Sequence, residues 1–371
     1  MKTPLLGGLT PTRFLREYWH KKPLLIRNAV PGFTGLLTPA EMQSLARRDD
    51  VESRLVQGRG RRWRLDHGPF RAADFKRLPK THWTLLVQSL NHHLPEADAL
   101  LRRFDFVPHA RLDDLMVSYA APGGSVGPHF DSYDVFLLQG PGRRRWQIGA
   151  QTDLTCLADA PLRILRRFEP ETEWVLEAGD MLYLPPQIAH HGVAVDACTT
   201  YSIGFRAPTA EELAHAFLMH LQDTVTLDGR YADPGLHPQR HPGKIGRAML
   251  VQIERMIGRI KWDRQTVADF AGLYLSEPKP SVFFDPPETP LTPAAFKRQA
   301  GRQGVRLDRR SRLLFIGMRF YINGEALDAS PEESAALQRL ADTRELPASP
   351  DPLPGCFYDW YAAGWLEIAA P

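Results

Sequence analysis

The feature that most limits the possible folds is a run of short, strand-like segments between about residues 115 and 205, separated by glycine and proline. Residues 115–120 form one such segment. Gln139-Gly140-Pro141-Gly142 predicts a turn between the apolar segment 135–138 and the returning segment 143–148. Three further segments follow, at residues 174–176, 181–184 and 199–205. Short strands with this punctuation predict an antiparallel barrel or a double-sheet jelly roll.

Within this run, a histidine and an aspartate lie two residues apart, at His129 and Asp131, and His190 follows a Pro-Pro corner. Because side chains alternate across a strand, His129 and Asp131 point to the same face, and a neighbouring strand can supply His190. Two imidazoles and one carboxylate occupy one face of an octahedral ion and leave positions for a co-substrate and dioxygen. The three residues therefore predict an Fe(II) site of the non-heme oxygenase type.

Several alternatives to this site stay open. His191 is the obvious rival of His190, but strand alternation points it to the opposite face. The three side chains could also be satisfied core histidines and a turn-capping aspartate. A zinc or manganese isomerase is a chemical rival, although such sites commonly recruit a further His or Glu, and none follows Asp131 at short spacing.

Arg144 lies on the segment 143–148, where alternation places it with Trp146 and Ile148 on the apolar face. A guanidinium that faces a barrel interior needs an anionic partner, because an uncompensated buried charge is costly. Its planar fork suits a carboxylate. The distal carboxylate of 2-oxoglutarate would satisfy Arg144 while the keto-acid end chelates the iron. The alternative is a surface arginine in a basic run.

Strand alternation selects further candidates. Ser118 shares a face with Asp114, and Tyr133 shares a face with Asp131. Asp114 and Tyr133 suit a cationic substrate side chain, since one supplies a charge and the other a flat aromatic face. Ser202, on the last strand, is a candidate hydrogen-bond donor to the co-substrate. Structural explanations are equally good: Asp114 could cap a strand and Tyr133 could simply pack.

The rest of the chain predicts helices and a small α+β module. Capping boxes predict helix starts after Thr38, Thr209 and Ser330. Apolar residues recur at helical spacing in 211–224 and 245–275, and either the barrel or a second copy of the chain could cover them. Helices around a strand pair fit a winged-helix-like module. We expect three parts: an oxygenase domain with N-terminal helices at 1–208, a helical region at 209–276 and a C-terminal module at 285–371.

Composition narrows the classes of function. A net charge of +3 over 371 residues does not indicate nucleic-acid binding, although local basic clusters such as 59–64 leave an RNA contact possible. Three cysteines, Cys156, Cys198 and Cys356, form no CxxC pair and favour a reducing compartment. The sequence has neither a membrane-spanning apolar run nor the apolar segment of a signal peptide. We therefore expect a cytoplasmic protein without a membrane segment.

The His129, Asp131 and His190 set, Arg144 and the stretch EAGDMLYLPP resemble the JmjC-type 2-oxoglutarate oxygenases. The resemblance is closer still to the bacterial ribosomal oxygenases, which are arginine 3-hydroxylases of the sixteenth protein of the large ribosomal subunit. The segments that carry it, over roughly residues 10–210, are SRLV, HGPF, HWTLLVQSLNH, DDLMVSYAAPGGSVGPHFDSYDVFLLQGPGRRRW and YSIGFRAPT.

This resemblance implies an α+β protein in which a JmjC/cupin double-stranded β-helix precedes a helical dimerisation region and a winged-helix-like domain. It implies a large-subunit ribosomal protein as substrate and a homodimer. By position, it assigns Fe(II) to His129, Asp131 and His190, the 2-oxoglutarate carboxylate to Arg144 with help from Ser118, and the target arginine to Asp114 and Tyr133.

Two other functions stay open. One is a histidine hydroxylase or a demethylase of the same superfamily, which would change the mass of a different residue. The other is a non-catalytic metal-binding cupin whose C-terminal module recognises nucleic acid or a partner. Asp131→Ala would leave that binding function intact, whereas the same change in an oxygenase should abolish turnover.

Overall fold

The computed structural model describes residues 4–60 and 62–369. Arg61, in the basic cluster 59–64, therefore lies outside the described residues. The chain forms two compact units, one that ends at Ala207 and one that begins at Pro208. The second unit contains both the helical region and the C-terminal module.

The first unit is built on two antiparallel sheets. Its strands are β1 (Leu24–Ile26), β2 (Ser53–Arg59), β3 (Arg62–His67), β4 (Trp83–Val87), β5 (Leu112–Ala120), β6 (Val135–Gln139), β7 (Arg144–Gly149), β8 (Thr172–Leu176), β9 (Met181–Leu184), β10 (Ala189–Ala194) and β11 (Cys198–Phe205). The larger sheet has the order β1-β9-β6-β11-β5-β4-β2-β3, and the smaller has the order β10-β7-β8. The predicted double-sheet β architecture is confirmed.

Helices cover the outer face of the larger sheet. They are α1 (Pro11–Glu17), α2 (Pro39–Leu45), α3 (Ala72–Lys76), α4 (Leu90–His93) and α5 (Pro95–Arg102). The capping box predicted at Thr38 begins α2: its side chain accepts from the Glu41 amide, and the Glu41 carboxylate accepts from the Thr38 amide. Phe14 of α1 packs against Phe136 of β6, with ring centroids 5.4 Å apart.

Strand β6 shows how the two faces of the sheet differ. All five of its residues are buried, so its sequence does not alternate between apolar and polar. Phe136 and Leu138 belong to the core under the helices. Val135 and Leu137 belong to a smaller core between the two sheets, which also contains Trp146. The inner face of the larger sheet therefore forms one wall of the space between the two sheets.

Strands β1 to β4 were not predicted, because the sequence indicated strands only beyond residue 113. Strand β4 is buried along its whole length. Periodicity cannot separate such a short apolar run from a piece of buried helix. Its pairing with β5, for example Leu86 with Ser118, and with β2, for example Leu86 with Arg54, settles its structure. These long-range pairings bring the N-terminal part of the chain into the barrel wall.

The second unit contains six helices and six strands within the described residues: α6 (Ala210–Thr224), α7 (Arg247–Ile257), α8 (Arg264–Ser276), α9 (Pro293–Gln303), β12 (Val305–Leu307), β13 (Leu313–Ile316), β14 (Arg319–Ile322), β15 (Glu325–Asp328), α10 (Pro331–Thr343), β16 (Glu345–Leu346), α11 (Cys356–Ala362) and β17 (Leu366–Ile368). The strands form two sheets of order β16-β12-β17 and β13-β14-β15. No described helix has the length and apolar character needed to cross a bilayer.

The helical stretch predicted at 245–275 is two helices. A new N-cap at Asp263, whose carboxylate accepts from the Thr266 amide at 2.8 Å, begins α8. Helix α8 packs against the β13–β15 hairpin, where the Tyr321 hydroxyl donates to Asp269 at 2.8 Å and the ring leaves no room for a Cβ at Gly272. The C-terminal module therefore covers α8. The sequence had instead indicated the barrel or a second copy of the chain as the partner of this helix.

Candidate metal centre and substrate cavity

A cavity of about 480 Å³ lies in the interior of the first unit. The larger sheet contributes every second residue of its central strands, as strand alternation requires. These residues are Thr84 and Leu86 of β4 with Gln88 just beyond it, Asp114, Met116 and Ser118 of β5, and Thr200, Ser202 and Gly204 of β11. The smaller sheet contributes Arg144, Trp146 and His190.

The structure brings His129, Asp131 and His190 together in this cavity. One ligand atom from each lies within 4.8 Å of the others. His190 Nε2 is 3.7 Å from an Asp131 carboxylate oxygen, and the two imidazole rings are 4.3 Å apart. This arrangement fits a single metal ion with two nitrogen ligands and one oxygen ligand.

Backbone contacts orient both imidazoles. The amides of His129 and His190 donate to each other's carbonyls at 2.9 and 2.8 Å, a bridge that joins the loop after Gly127 to β10. Nδ1 of His129 donates to the Gly127 carbonyl, and Nδ1 of His190 donates to the Ile188 carbonyl, both at 2.9 Å. With Nδ1 engaged in this way, Nε2 of each ring is the atom left to bind a metal.

Burial also prepares His190 for metal binding. Its side chain is 2% exposed. Burial, followed by the nearby His129, lowers the pKa of His190 to about 4. The imidazole is therefore neutral at physiological pH, and the neutral form is the one that binds a metal.

His191 lies on the other side of β10, as strand alternation requires. It pairs with Gln147 in the sheet register, and its ring contacts Phe168 at 6.1 Å. It does not line the cavity and is not a member of the metal-binding cluster found among residues 4–60 and 62–369. The two adjacent histidines therefore lie on opposite faces of β10, and only His190 faces the cavity.

Arg144 faces the cavity, and Arg145 faces outward. The Arg144 side chain is buried, and its Nε and Nη2 atoms have no hydrogen-bond partner within the described part of the chain. The guanidinium lies 5.8 Å from the Trp146 ring, whose indole nitrogen is likewise without a partner among those residues. Two unsatisfied nitrogens of one buried fork fit the carboxylate of an anionic small molecule.

The two serine candidates lie on neighbouring strands of the cavity wall. Ser118 and Ser202 are both buried and both line the cavity. The Ser118 hydroxyl donates to the Thr200 carbonyl at 3.5 Å. Thr200, which sequence reasoning missed, lines the same wall.

Asp114 and Tyr133 also line the cavity. Asp114 is buried, whereas Tyr133 is 40% exposed, which places it at the cavity mouth. Burial, followed by the negative charges of Asp131 and Asp114, raises the pKa of Tyr133 above its usual range. A neutral phenol beside a buried carboxylate is a suitable site for a cationic side chain.

Further polar residues of the cavity were missed, among them Arg54, His67 and Gln88. They come from strands β2 and β3 and from the residue after β4, which the sequence did not predict as strands. Arg54 donates to the Gln88 side-chain carbonyl at 3.0 Å. The only signal for them in the sequence was the resemblance carried by SRLV, HGPF and HWTLLVQSLNH, which did not assign a role to any single residue.

Models of two domain families match the chain. Residues 99–213 match the JmjC domain. Residues 259–367 match the ROXA-like winged helix. These matches confirm the predicted fold, in which a JmjC barrel is followed by a winged-helix module.

Several named relatives match half of the chain or more. The ribosomal protein uL16 3-hydroxylase of Escherichia coli is 37% identical over 339 residues, which cover 90% of this chain and 89% of that protein. A probable ribosomal oxygenase of Haemophilus influenzae is 42% identical over 62% of this chain and 55% of that protein. Ribosomal oxygenase 1 of Gallus gallus is 29% identical over 50% of this chain and 33% of that protein.

Solved structures agree with the sequence comparison. The ribosomal oxygenase YcfD of Escherichia coli superposes with a TM-score of 0.82 at 32% identity, covering 98% of both chains. The same enzyme in complex with cobalt and 2-oxoglutarate superposes with a TM-score of 0.82, covering 97% of this chain and 98% of that one. On this identity and coverage, the chain belongs to the ribosomal oxygenase family.

Proposed function

We propose that this protein is a 2-oxoglutarate- and Fe(II)-dependent hydroxylase that acts on C3 of an arginine side chain in ribosomal protein uL16. The observation that carries the proposal is the joint placement, in one cavity, of the His129, Asp131 and His190 cluster and the unsatisfied guanidinium of Arg144. The E. coli relative named for this reaction supports the choice of substrate.

In this proposal the metal is held by Nε2 of His129, Nε2 of His190 and a carboxylate oxygen of Asp131. These three residues would hold the Fe(II), and the cavity around them would receive 2-oxoglutarate and dioxygen. When bound, Fe(II) and 2-oxoglutarate supply the oxidation: the co-substrate gives succinate and carbon dioxide, and one atom of dioxygen enters the product.

Arg144 binds the distal carboxylate of 2-oxoglutarate, and this contact satisfies nitrogens that otherwise have no partner among the described residues. Ser202 on the opposite wall is the proposed hydrogen-bond donor to the same molecule, and Ser118 on the neighbouring strand is the proposed assisting residue. The buried walls exclude bulk water and so strengthen these charged contacts.

Asp114 and Tyr133 are the proposed contacts of the target arginine. The Asp114 carboxylate pairs with the guanidinium deep in the cavity, and the exposed Tyr133 ring lies against the side chain at the entrance. Holding the end of the side chain in this way would fix the position of one C–H bond relative to the metal-binding residues.

We further propose that two copies of the chain associate through the helical region. Apolar residues of α7 are strongly exposed, including Leu250 at 54% and Ile257 at 61%. The proposed division is a catalytic part at 1–208, a dimerisation part at 209–276 and a winged-helix-like part at 285–371, with the protein in the cytoplasm beside its ribosomal substrate. A purified Ile257→Glu variant that stays dimeric by light scattering would count against the interface.

The test of the proposed function uses purified protein, Fe(II), 2-oxoglutarate and a peptide of uL16 that contains the target arginine. We expect succinate to form and one arginine to gain about 16 mass units, the mass of one oxygen atom, whereas Asp131→Ala gives neither product. Mass gain on a histidine, or loss of a methyl group, would identify the other reactions of the superfamily. No succinate and no mass change with the wild-type protein would refute the proposal.

A further inference from the structure

One oxygen of the Asp114 carboxylate accepts three hydrogen bonds from neighbouring residues. Oδ2 accepts from the Gln88 side-chain amide at 2.9 Å, from the Ser89 backbone amide at 2.9 Å and from the Ser89 hydroxyl at 3.0 Å. Asp114 is 4% exposed, so these bonds lie in a low-dielectric interior. Three donors on a single oxygen fix the plane in which the carboxylate lies.

Gln88 is itself held from the other side. Arg54 Nη2 donates to Gln88 Oε1 at 3.0 Å. Because Arg54 can only donate and the carboxylate can only accept, the amide has a single orientation that satisfies both neighbours. Arg54, Gln88 and Asp114 therefore form a hydrogen-bonded chain across β2, the end of β4 and β5.

The other carboxylate oxygen of Asp114 lies on the side of Gly204. A Cβ added at Gly204 would come within 3.7 Å of Asp114 Oδ1, and Gly204 lines the cavity. A side chain longer than alanine would fill the space beside this oxygen. Oδ2 of Asp114 therefore lies among the donors of Gln88 and Ser89, and Oδ1 lies beside Gly204 at the cavity wall.

We propose that Gln88 and Arg54 are positioning residues that orient the Asp114 carboxylate for a guanidinium and so favour arginine over lysine as the target residue. The inference rests on the proposed function and deepens it. A guanidinium binds through a rigid, directional fork, so its affinity depends on the angle of the carboxylate. An ammonium is a compact charge with rotatable donors, so its affinity depends mainly on distance.

The decisive variant is Gln88→Met, which keeps the length of the side chain and removes both hydrogen bonds. Its matched control is Gln147→Met, because Gln147 donates to the Glu173 carboxylate at 2.8 Å on the outside of the barrel. Each protein, loaded with Fe(II) and 2-oxoglutarate without oxygen, is titrated with a uL16 peptide that contains either the target arginine or lysine in its place.

We expect Gln88→Met to weaken binding of the arginine peptide about ten-fold, the loss typical of one hydrogen bond to a charged group. The lysine peptide should lose roughly two-fold or less, because its charge attraction to Asp114 remains. In air, KM for the arginine peptide should rise while kcat at saturating peptide stays near the wild-type value. Gln147→Met should change none of these quantities.

Arg54→Met tests the hydrogen bond from Arg54 to Gln88. Positioning predicts weaker binding of the arginine peptide, by less than in Gln88→Met, because the bonds to Asp114 remain. Tighter binding would mean that Arg54 acts as a repelling cation, which would overturn the positioning role. Equal losses for the arginine and lysine peptides in Gln88→Met would overturn it as well.

The experiment distinguishes failure of the proposed function from failure of the positioning role. If the wild-type protein does not bind the arginine peptide, the proposed function is wrong and this inference falls with it. If the wild-type protein binds and hydroxylates the peptide and Gln88→Met does the same with equal affinity, only the positioning role is wrong. Thermal unfolding of each variant shows whether the fold is intact.

Discussion

Two buried ions of opposite sign line the same cavity, and the protein surrounds them differently. Asp114 receives three hydrogen bonds on one oxygen from Gln88 and Ser89. Arg144 has two nitrogens with no hydrogen-bond partner among residues 4–60 and 62–369. Under the proposed function, the carboxylate of 2-oxoglutarate completes the Arg144 side, whereas the hydrogen bonds to Asp114 orient its carboxylate before the target arginine binds.

The difference has an energetic consequence. A buried guanidinium without an anionic partner lowers the free energy of unfolding, and a bound carboxylate recovers part of that loss. The hydrogen bonds to Asp114, in contrast, stabilise the fold before any substrate arrives. The two sides of the cavity should therefore respond in opposite ways to removal of the charged group.

The largest effect is expected at the metal, where two adjacent histidines make a matched pair. His190→Gln removes a proposed ligand, so bound iron and succinate formation should fall to the detection limit. His191→Gln changes a side chain outside the cavity, so most of the bound iron and most of the succinate formation should remain. Iron content per chain and succinate formation are the measurements, and equal iron loss in both variants would contradict the assignment.

The next effect is expected at Arg144, for which Arg145 is the matched control because it faces outward. Arg144→Met should raise KM for 2-oxoglutarate about 100-fold, since a buried charge pair loses one member. Without iron and 2-oxoglutarate, the same variant should unfold at the wild-type temperature or higher. Succinate kinetics and thermal unfolding measure the two quantities.

An Arg144→Met protein that is much less stable than Arg145→Met would show that the Arg144 guanidinium is a structural charge. An unchanged KM for 2-oxoglutarate would remove Arg144 from the co-substrate site. Either result would show that the proposed difference between Arg144 and Asp114 is wrong.

Asp114→Asn should have a smaller effect on the reaction and the opposite effect on stability. The three donors would lose a charged acceptor, which should lower the free energy of unfolding by about 1–2 kcal/mol. Affinity for the arginine peptide should fall at least about ten-fold, while KM for 2-oxoglutarate stays unchanged. Chemical denaturation measures the change in the free energy of unfolding, and peptide titration measures the change in affinity. A large change in KM for 2-oxoglutarate would show that Asp114 also contributes to co-substrate binding.

The smallest effect is expected for Gly204→Ala. The added Cβ would lie 3.7 Å from Asp114 Oδ1, an ordinary contact, so the fold should keep its stability. The methyl group would still narrow the space beside the carboxylate and weaken binding of the arginine peptide a few-fold. Peptide titration measures the change. A loss greater than that of Asp114→Asn would show that Gly204 is needed for more than space.

The sequence predicted Arg144 and His190 well, because strand alternation determines which residues of β7 and β10 face the cavity and separates them from Arg145 and His191. For His129 and Asp131 the expected strand was wrong, since the structure has only an isolated bridge at His129 and no strand at Asp131, yet the two side chains still lie in the cavity. The structure places His129, Asp131, Arg144 and His190 in one cavity. Their roles as ligands remain proposals.

The part of the opposite wall that β2 and the end of β4 contribute could not be predicted in the same way. Arg54 and Gln88 reach the cavity only because β2, β4 and β5 pair over long stretches of sequence. Strand β4 is buried on both faces, so its sequence carries no alternation from which its inner residues could be identified. The hydrogen-bonded chain to Asp114 is therefore a product of tertiary pairing.

Hydroxylation of an arginine of uL16 by this protein is tested most directly in cells. Ribosomal proteins are isolated from cells with the gene, without it and with the gene for the Asp131→Ala protein, and the intact mass of each protein is measured. We expect uL16 alone to gain about 16 mass units, the mass of one oxygen atom. The oxygen should lie on an arginine, and the gain should require the wild-type gene. An identical uL16 mass in all three strains would contradict this expectation.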